Sequence, residues 1–162
     1  MSDRYQELAT MLRALNLSRM AASFEDVAVH AVRNGRSHET FLYELARLEC
    51  EYRAQRRLER RVRESGLPVE KTFRTLQLDR FGPVLAQQLE RLRRGSFVPE
   101  AVNVVAVGRP GTGKSHAMAA VGHELIVQGH TVYWSRTATL VQRLLAAKRD
   151  LRLPQELAKL ER

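Results

Sequence analysis

The sequence predicts an α/β protein in which an all-helical N-terminal domain precedes an incomplete parallel-sheet core built around a phosphate-binding loop. Two observations support this prediction. Up to about residue 66, apolar residues recur at helical spacing and no segment alternates as a strand does. After residue 100, an apolar run, a glycine-rich loop and a second helical pattern follow one another. We therefore divide the chain into a helical domain (1–66), a connector (67–100) and a partial core (101–162).

The N-terminal domain is predicted to contain three helices. The first covers residues 4–15, where apolar residues lie on one face. The second begins at Ser18, because a serine hydroxyl can cap the free N–H groups of a first turn. The third begins at Ser37 and covers 38–64, about 40 Å if it is helical throughout.

The late part of the third helix is rich in arginine. Five arginines are spaced so that they share one side of the helix: Arg53, Arg56, Arg57, Arg60 and Arg61. One interpretation is a stripe that contacts the phosphates of DNA. The other is a solvated face, supported by Glu49–Arg53 and Glu59–Arg63 pairs one helical turn apart.

The connector and the core are predicted to alternate between irregular, helical and extended segments. Residues 73–81 are predicted to be extended or irregular, and a helix is predicted from Pro83 to Arg94. Two β-branched, apolar runs predict strands at 102–107 and 131–135. The remaining helices are predicted from Ser115 to Gln128, from Thr137 or Thr139 onward, and from Leu151 to Arg162.

The glycine-rich loop carries the most specific chemical signal in the chain. It matches the pattern of phosphate-binding loops at every fixed position, through the residues Gly108, Arg109, Pro110, Gly111, Thr112, Gly113, Lys114 and Ser115. The glycines let backbone N–H groups approach a phosphate closely, and the start of the helix adds favourable dipoles. Lys114 is predicted to reach the β- and γ-phosphates and Ser115 to ligate Mg²⁺.

Composition and charge favour a polyanionic partner. The chain has 27 basic and 18 acidic residues, a formal net charge of +9, with 44% hydrophobic and 28% charged residues. Nucleic acid is the commonest partner of such proteins, although a basic protein encoded by a GC-rich genome shows the same arginine excess.

Several absences favour the cytoplasm and no membrane association. No apolar run approaches the length of about 20 residues that spans a bilayer. The first seven residues are polar and do not resemble the core of a signal peptide. A lone Cys50 excludes an internal disulfide and a cysteine zinc site, and the histidines lack ligand spacing.

Across essentially its whole length the chain resembles the IstB-like ATP-binding proteins, the transposition helpers of insertion sequences, which are cousins of the DnaC helicase loaders. The resemblance rests on the order in which several segments occur. They are residues 57–61, the connector 72–78, Phe97, Asn103, the loop Gly108 to His116, residues 129–132 and residues 137–144.

The resemblance implies an AAA+ ATPase that assembles on DNA without strong sequence preference, as a homo-oligomer at full length, and assists the transposase of its insertion sequence. The implied ligands are ATP and Mg²⁺, held by Gly108 to Ser115 with His116 beginning the helix. The connector resembles the family's lead-in to the adenine pocket, where Phe73 or Leu76 is either a pocket residue or plain core.

The chain departs from the family pattern after the loop. AAA+ ATPases use an apolar strand ending in Asp-Glu to hold Mg²⁺ and orient the attacking water. None of the four acidic residues after Ser115 ends such a strand: Glu124, Asp150, Glu156 and Glu161. We therefore expect ATP binding without hydrolysis. In the family's sheet order, 5-1-4-3-2, the first and second strands are not neighbours, so 102–107 and 131–135 are expected to lack their usual partners.

Three alternatives remain open at this point. A DnaC-like helicase loader has the same fold and a different partner. A small-molecule kinase with a phosphate loop needs an acceptor pocket, and the long helical region before the loop argues against it. A helical DNA- or protein-binding module with a vestigial ATPase half predicts that residues 1–66 fold and bind without ATP.

Overall fold

The computed structural model describes residues 3–160, which form seven α-helices and one 3₁₀ turn. In chain order these are α1 (Asp3–Ala14), α2 (Ser18–Arg33), α3 (His38–Ser65), the 3₁₀ turn (Leu78–Phe81), α4 (Gly82–Arg93), α5 (Lys114–Val127), α6 (Thr137–Arg149) and α7 (Leu153–Leu160). The chain divides into two compact units, Met1–Arg57 and Leu58–Arg162, with the boundary inside α3. None of the helices in residues 3–160 is both long and apolar enough to cross a bilayer.

The first unit contains α1, α2 and the first part of α3. α1 packs against α2, and the Tyr5 ring stacks on the Phe24 ring with centroids 5.6 Å apart. Phe24 and Leu45 are the large buried side chains of this unit. The start of α3 is confirmed, because the Ser37 hydroxyl accepts a hydrogen bond from the Thr40 N–H at 3.2 Å.

The start of α2 differs from the prediction. The helix begins at Ser18, but no side chain of the flanking residue caps it. Instead, the carboxylate of Glu49 on α3 accepts hydrogen bonds from the N–H groups of Arg19 at 2.8 Å and Met20 at 3.1 Å. A carboxylate at a helix N-terminus satisfies free N–H groups and complements the dipole. The cap of α2 is therefore supplied from a distance of 30 residues along the chain.

The second unit is organised around α5. The small residues Ala117, Ala119 and Ala120 are buried on this helix, and α4 packs against it. Two apolar clusters lie on its sides. One joins Ala117 and Ala120 to Leu76 and Leu89, with Phe73, Leu78, Phe81, Leu92 and Met118 around them; the other joins Ala119 and Ile126 to Leu67, with Leu58, Val62, Val132 and Trp134.

The predicted parallel sheet is absent from residues 3–160, so the α/β, AAA+ type sheet core is a wrong prediction for this structure. Residues 102–107 form neither helix nor strand, and their valines face solvent, with Val105 81% and Val107 90% exposed. The physical reason is pairing. A strand is stabilised by ladder hydrogen bonds to a neighbouring strand, and apolar alternation alone does not provide one.

The second predicted strand, 131–135, is also not part of a sheet. It is held by side-chain packing, since Val132 and Trp134 lie against the cluster of Leu67 and Ile126. One backbone hydrogen bond anchors it, from the Trp134 N–H to the Ser65 carbonyl at 2.7 Å. A single bond to the end of a helix does not make a ladder.

Candidate functional site

The glycine-rich loop leads directly into the first turn of α5. Gly111 has φ = 81° and Gly113, which precedes the first residue of the helix, has φ = 85°. Both values lie in the left-handed region, which costs a residue with a side chain about 1 kcal/mol or more. A Cβ on Gly113 would also lie 3.0 Å from Cζ of Phe81, whereas a Cβ on Gly111 would meet nothing within 4 Å. The space beside Gly111 is therefore open to a ligand.

Lys114 holds the loop in a closed turn. Its ammonium group donates hydrogen bonds to the carbonyls of Gly108 at 2.8 Å and Arg109 at 2.7 Å. The Thr112 hydroxyl donates to the same Arg109 carbonyl at 2.9 Å. The cationic end of Lys114 is thus placed over the loop's own backbone, where an anion entering the loop would compete with two carbonyl oxygens.

A pocket of about 290 Å³ lies beside the loop. One wall is the connector and the 3₁₀ turn; the other is the loop and the first turn of α5. The lining residues are Thr75, Leu76, Gln77, Arg80, Phe81, Gly111, Thr112, Gly113 and His116. The pocket therefore combines open loop backbone with one aromatic ring, one buried leucine and several polar side chains, a mixture typical of small-molecule sites.

His116 connects α5 to the connector. Its Nε2 lies 3.1 Å from the Thr75 hydroxyl oxygen and 3.2 Å from the Thr72 carbonyl oxygen. A carbonyl oxygen can only accept, so Nε2 carries the proton and donates in this arrangement. The Thr75 hydroxyl in turn lies 2.6 Å from the Glu70 carbonyl, to which it donates. This short chain of bonds fixes one wall of the pocket against the other.

Four of the nine predicted site residues, Gly108 to His116, line the pocket. Gly111, Thr112, Gly113 and His116 line the pocket, and Lys114 lies over the Gly108 and Arg109 carbonyls. Pro110 is exposed, and Ser115 presents an exposed side chain on the first turn of α5.

The two aromatic or apolar residues considered for a base pocket occupy different positions. Leu76 is buried and lines the pocket. Phe73 packs on the core cluster, with the Arg93 guanidinium 4.9 Å from its ring centroid. The aromatic residue at the pocket is Phe81, for which no role is predicted from the sequence. Its position in the same irregular segment, eight residues after Phe73, was the available signal.

The acidic residues after Ser115 are engaged elsewhere. Glu124 pairs with Arg93 at 3.2 Å and Asp150 pairs with Arg152 at 2.6 Å. Glu156 pairs with both Lys159 and Arg143, and the hydrogen bonds from these two cations hold its pKa below the usual range. Glu161 lies outside the described residues. Within residues 3–160 no three acidic, histidine or cysteine side chains are grouped so that they could hold a metal ion.

Part of the predicted arginine stripe is committed to structure. The Nε of Arg53 donates to Glu49 at 2.8 Å, and another of its nitrogens donates to the Asn16 carbonyl at 2.6 Å. The expected Glu49–Arg53 pair is therefore confirmed. Arg53 thus holds the buried Glu49 in place, which favours a structural role over a DNA contact at this end of the stripe.

Comparison with known proteins identifies a family. Residues 10–162 match the family model described as IstB-like ATP binding protein. A protein of Sinorhizobium fredii (strain NBRC 101917 / NGR234), named as an insertion sequence ATP-binding protein, is 36% identical over 156 residues, which are 96% of this chain and 52% of that protein. A protein of Pseudomonas aeruginosa, named as an ATP-binding protein of insertion sequence IS21, is 29% identical over 95% of this chain and 58% of its own length. A protein of Geobacillus stearothermophilus, named as an ATP-binding protein of insertion sequence IS5376, is 28% identical over 88% of this chain and 57% of its own length. The chain thus spans about half the length of these relatives.

Proposed function

The chain belongs to the family of IstB-like ATP-binding proteins, and from this premise we propose that it binds ATP with Mg²⁺ and assists an insertion-sequence transposase on DNA. The observation that carries the nucleotide proposal is the pocket lined by Gly111, Gly113 and Phe81, which lies beside the loop whose own carbonyls bind the Lys114 ammonium. The residues proposed to contact the nucleotide are Gly108, Arg109, Pro110, Gly111, Thr112, Gly113, Lys114, Ser115 and His116.

The phosphates are proposed to bind by exchange at Lys114. The ammonium group leaves the carbonyls of Gly108 and Arg109 and binds the β- and γ-phosphate oxygens instead. Loop N–H groups and the free N–H groups of the first turn of α5 then donate to the same phosphates. The exchange replaces two neutral carbonyl acceptors by anionic phosphate oxygens, and the attraction between opposite charges favours it.

The base is proposed to occupy the part of the pocket formed by the connector. Leu76 and Phe81 supply apolar and aromatic surface, and Gln77 and Arg80 supply polar groups at the rim. The Phe81 ring already lies against the last glycine of the loop, so a base packed on it is within reach of phosphates held by the loop.

Mg²⁺ would be held by the Ser115 hydroxyl together with phosphate oxygens, and it would neutralise part of the phosphate charge. The exposed position of Ser115 on the first turn of α5 supports this role. We further propose that residues 3–160 do not turn ATP over, because Glu124, Asp150 and Glu156 are each paired with arginine or lysine and none lines the pocket.

Equilibrium binding of a fluorescent ATP analogue in the presence of Mg²⁺ tests the nucleotide site. Lys114→Gln removes the charge and keeps much of the length, so we expect at least a tenfold loss of affinity, about 1.4 kcal/mol. Lys148→Gln on α6 makes the same charge change away from the pocket and should bind as the unmodified chain does. Equal affinities for the two variants would contradict the site.

A second arm separates the base from the phosphates. Phe81→Leu is expected to lower the affinity for ATP several-fold and to leave the affinity for tripolyphosphate unchanged, because only ATP has a base to pack on the ring. A parallel loss for both ligands would instead mean that Phe81 acts by shaping the loop. Phosphate release above the level of Lys114→Gln would contradict the absence of turnover.

The partner part of the proposal rests on the family and on the net charge of +9. Purified chain is mixed in parallel with the transposase of the same insertion sequence and with a replicative helicase, with DNA and ATP present. We expect a complex with the transposase on DNA. A stable complex with the helicase alone would replace transposition by helicase loading.

A further inference from the structure

A second cleft, about 300 Å³ in volume, lies in the unit Leu58–Arg162 and is separate from the nucleotide pocket. The end of α3 forms one side; residues 131–133, α6 and α7 form the other. The charged residues that line it are Arg60, Arg61, Glu64, Arg143 and Lys159. Four of these are cationic and one is acidic, so the cleft is basic.

Two cations of the cleft have no partner among residues 3–160. Among the residues that the structure describes, the side chains of Arg60 and Arg61 make no ion pair and no hydrogen bond, although Glu64 lies one helical turn away. Arginine is the side chain best suited to phosphate, because its planar fork can donate two parallel hydrogen bonds. These two guanidinium groups are available to an anion.

The other two cations share one carboxylate. Glu156 accepts hydrogen bonds from Arg143 at 2.7 Å and from Lys159 at 2.5 Å. Arg143 also donates to the Tyr133 hydroxyl at 3.0 Å, and its guanidinium lies 5.7 Å from the centroid of that ring. Glu156 therefore accepts hydrogen bonds that the same two cations could otherwise donate to a phosphate.

We propose that this cleft grips the phosphate backbone of DNA and that Glu156 is an internal competitor for two of its four cations. This proposal rests on the DNA-binding part of the proposed function and names the residues that carry it. In the free protein Glu156 pairs with Arg143 and Lys159 and offsets one of their two positive charges, while Arg60 and Arg61 attract the strand. A bound phosphate then displaces Glu156 from one or both cations. The contact involves only the backbone, so it does not depend on base sequence.

The arginine arm of the test uses fluorescence anisotropy with a labelled DNA duplex of arbitrary sequence, over a series of salt concentrations. Changing Arg60 and Arg61 together to Gln is expected to weaken binding about tenfold and to lower the salt slope by about two, one for each phosphate contact. The matched control changes Arg91 and Arg94, two exposed arginines at the end of α4, to Gln. Equal losses in the two double variants would overturn the cleft.

The carboxylate arm predicts a gain. Glu156→Gln frees two cations and should tighten DNA binding about threefold to tenfold. Glu100→Gln makes the same change in net charge at an exposed position outside the cleft and should change affinity by no more than about twofold. If Glu156→Gln binds no more tightly than Glu100→Gln, the competitor role is wrong.

A chemical footprint keeps the test independent of folding in the variants. Phenylglyoxal labels accessible arginines. Mass spectrometry then maps the labelled arginines in the chain without substitutions, with and without DNA. DNA should protect Arg60 and Arg61 and leave Arg91 and Arg94 reactive; a footprint that protects neither Arg60 nor Arg61 would overturn the proposal.

Tripolyphosphate added to Lys114→Gln protein distinguishes the ligand sources. Displacement of DNA at equal phosphate concentration would show a small-anion site and contradict a strand-binding cleft. If the unmodified chain binds no DNA, both this inference and the DNA part of the proposed function fail; if it binds DNA without these effects, only this inference fails.

Discussion

The two apolar segments that flank the glycine-rich loop differ in burial: one is packed in the core and the other is exposed. On the C-terminal side, α5 buries Ala119 and Ala120 completely, at 0% exposure. On the N-terminal side, residues 102–107 are as apolar, yet every one of them is exposed. The loop joins them directly, so chain position does not explain the difference.

Backbone hydrogen bonding explains it. A helix forms its hydrogen bonds within one segment, so α5 needs only apolar surfaces to pack against, and the connector and α4 supply them. A strand needs the N–H and C=O groups of another strand. Within residues 3–160 no segment pairs with 102–107. Local elements therefore form where non-local elements do not.

The largest expected effect comes from placing one charge on each side of the loop. Ala120→Asp puts a carboxylate at a position with no solvent access, and we expect a loss of about 3–5 kcal/mol in the free energy of unfolding, enough to unfold the second unit. Val105→Asp places the same group in solvent and should stay within about 0.5 kcal/mol of the unmodified chain. Urea denaturation followed by circular dichroism measures both. A similar cost at the two positions would mean that 102–107 is packed in solution.

The next effect tests a non-local hydrogen bond that does form, the cap of α2 by Glu49. Glu49→Gln removes the charge from a side chain that accepts bonds from two N–H groups and from Arg53, and it should cost about 2 kcal/mol. Glu51 lies two residues further along α3 and is exposed, so Glu51→Gln should cost less than about 0.5 kcal/mol. Denaturant midpoints of the full chain at pH 7 provide the comparison, and equal midpoints would refute the cap.

The same carboxylate gives the first unit a pH dependence. Burial acts to raise the pKa of Glu49, but the Met20 N–H, the Arg53 guanidinium and the Arg19 N–H outweigh it, so the pKa is lowered from its ordinary value of 4.5. The stabilisation is therefore present above pH 4.5 and is lost as the pH falls through the lowered pKa. The difference in stability between the unmodified chain and Glu49→Gln should shrink on acidification below that value. A difference that is constant down to pH 3 would contradict this assignment.

A smaller effect is expected in the loop itself. Gly113→Ala combines a left-handed backbone with a Cβ 3.0 Å from the Phe81 ring and should cost about 1–2 kcal/mol, with weaker binding of the fluorescent ATP analogue. Gly35→Ala has φ = 58° and open space, so it carries the backbone cost alone. Combining Gly113→Ala with Phe81→Leu should recover the steric part; no recovery would assign the whole cost to the backbone.

The smallest effect on stability is expected from the exposed valines. Changing Val105 and Val107 to Lys should alter the free energy of unfolding by less than about 0.5 kcal/mol. It should nevertheless reduce self-association, because charged residues on an unpaired apolar segment oppose strand pairing between copies. Light scattering at increasing protein concentration measures this, and unchanged scattering would show that 102–107 is not the associating segment.

The helices and the loop were predictable from the sequence because their signals are local. Helical spacing indicated α1 to α3, and the spacing of Gly108, Gly113 and Lys114 indicated the loop before any coordinates. The sheet was predicted wrongly, because β-branched runs show that a segment is suited to pairing and say nothing of a partner within reach. The Glu49 cap and the Phe81 contact were missed for a related reason: each joins residues far apart in the chain.

The bonds of His116 make the two halves of the nucleotide pocket thermodynamically dependent on each other. Its Nε2 joins the first turn of α5 to Thr75 and to the Thr72 carbonyl, so a shift of that turn on phosphate binding moves the wall against which a base would pack. By linkage, the factor by which bound phosphate changes the affinity for the base equals the factor by which the base changes the affinity for phosphate. Binding of a base analogue and of tripolyphosphate, measured separately and together, would therefore give the coupling free energy between the two halves of the pocket.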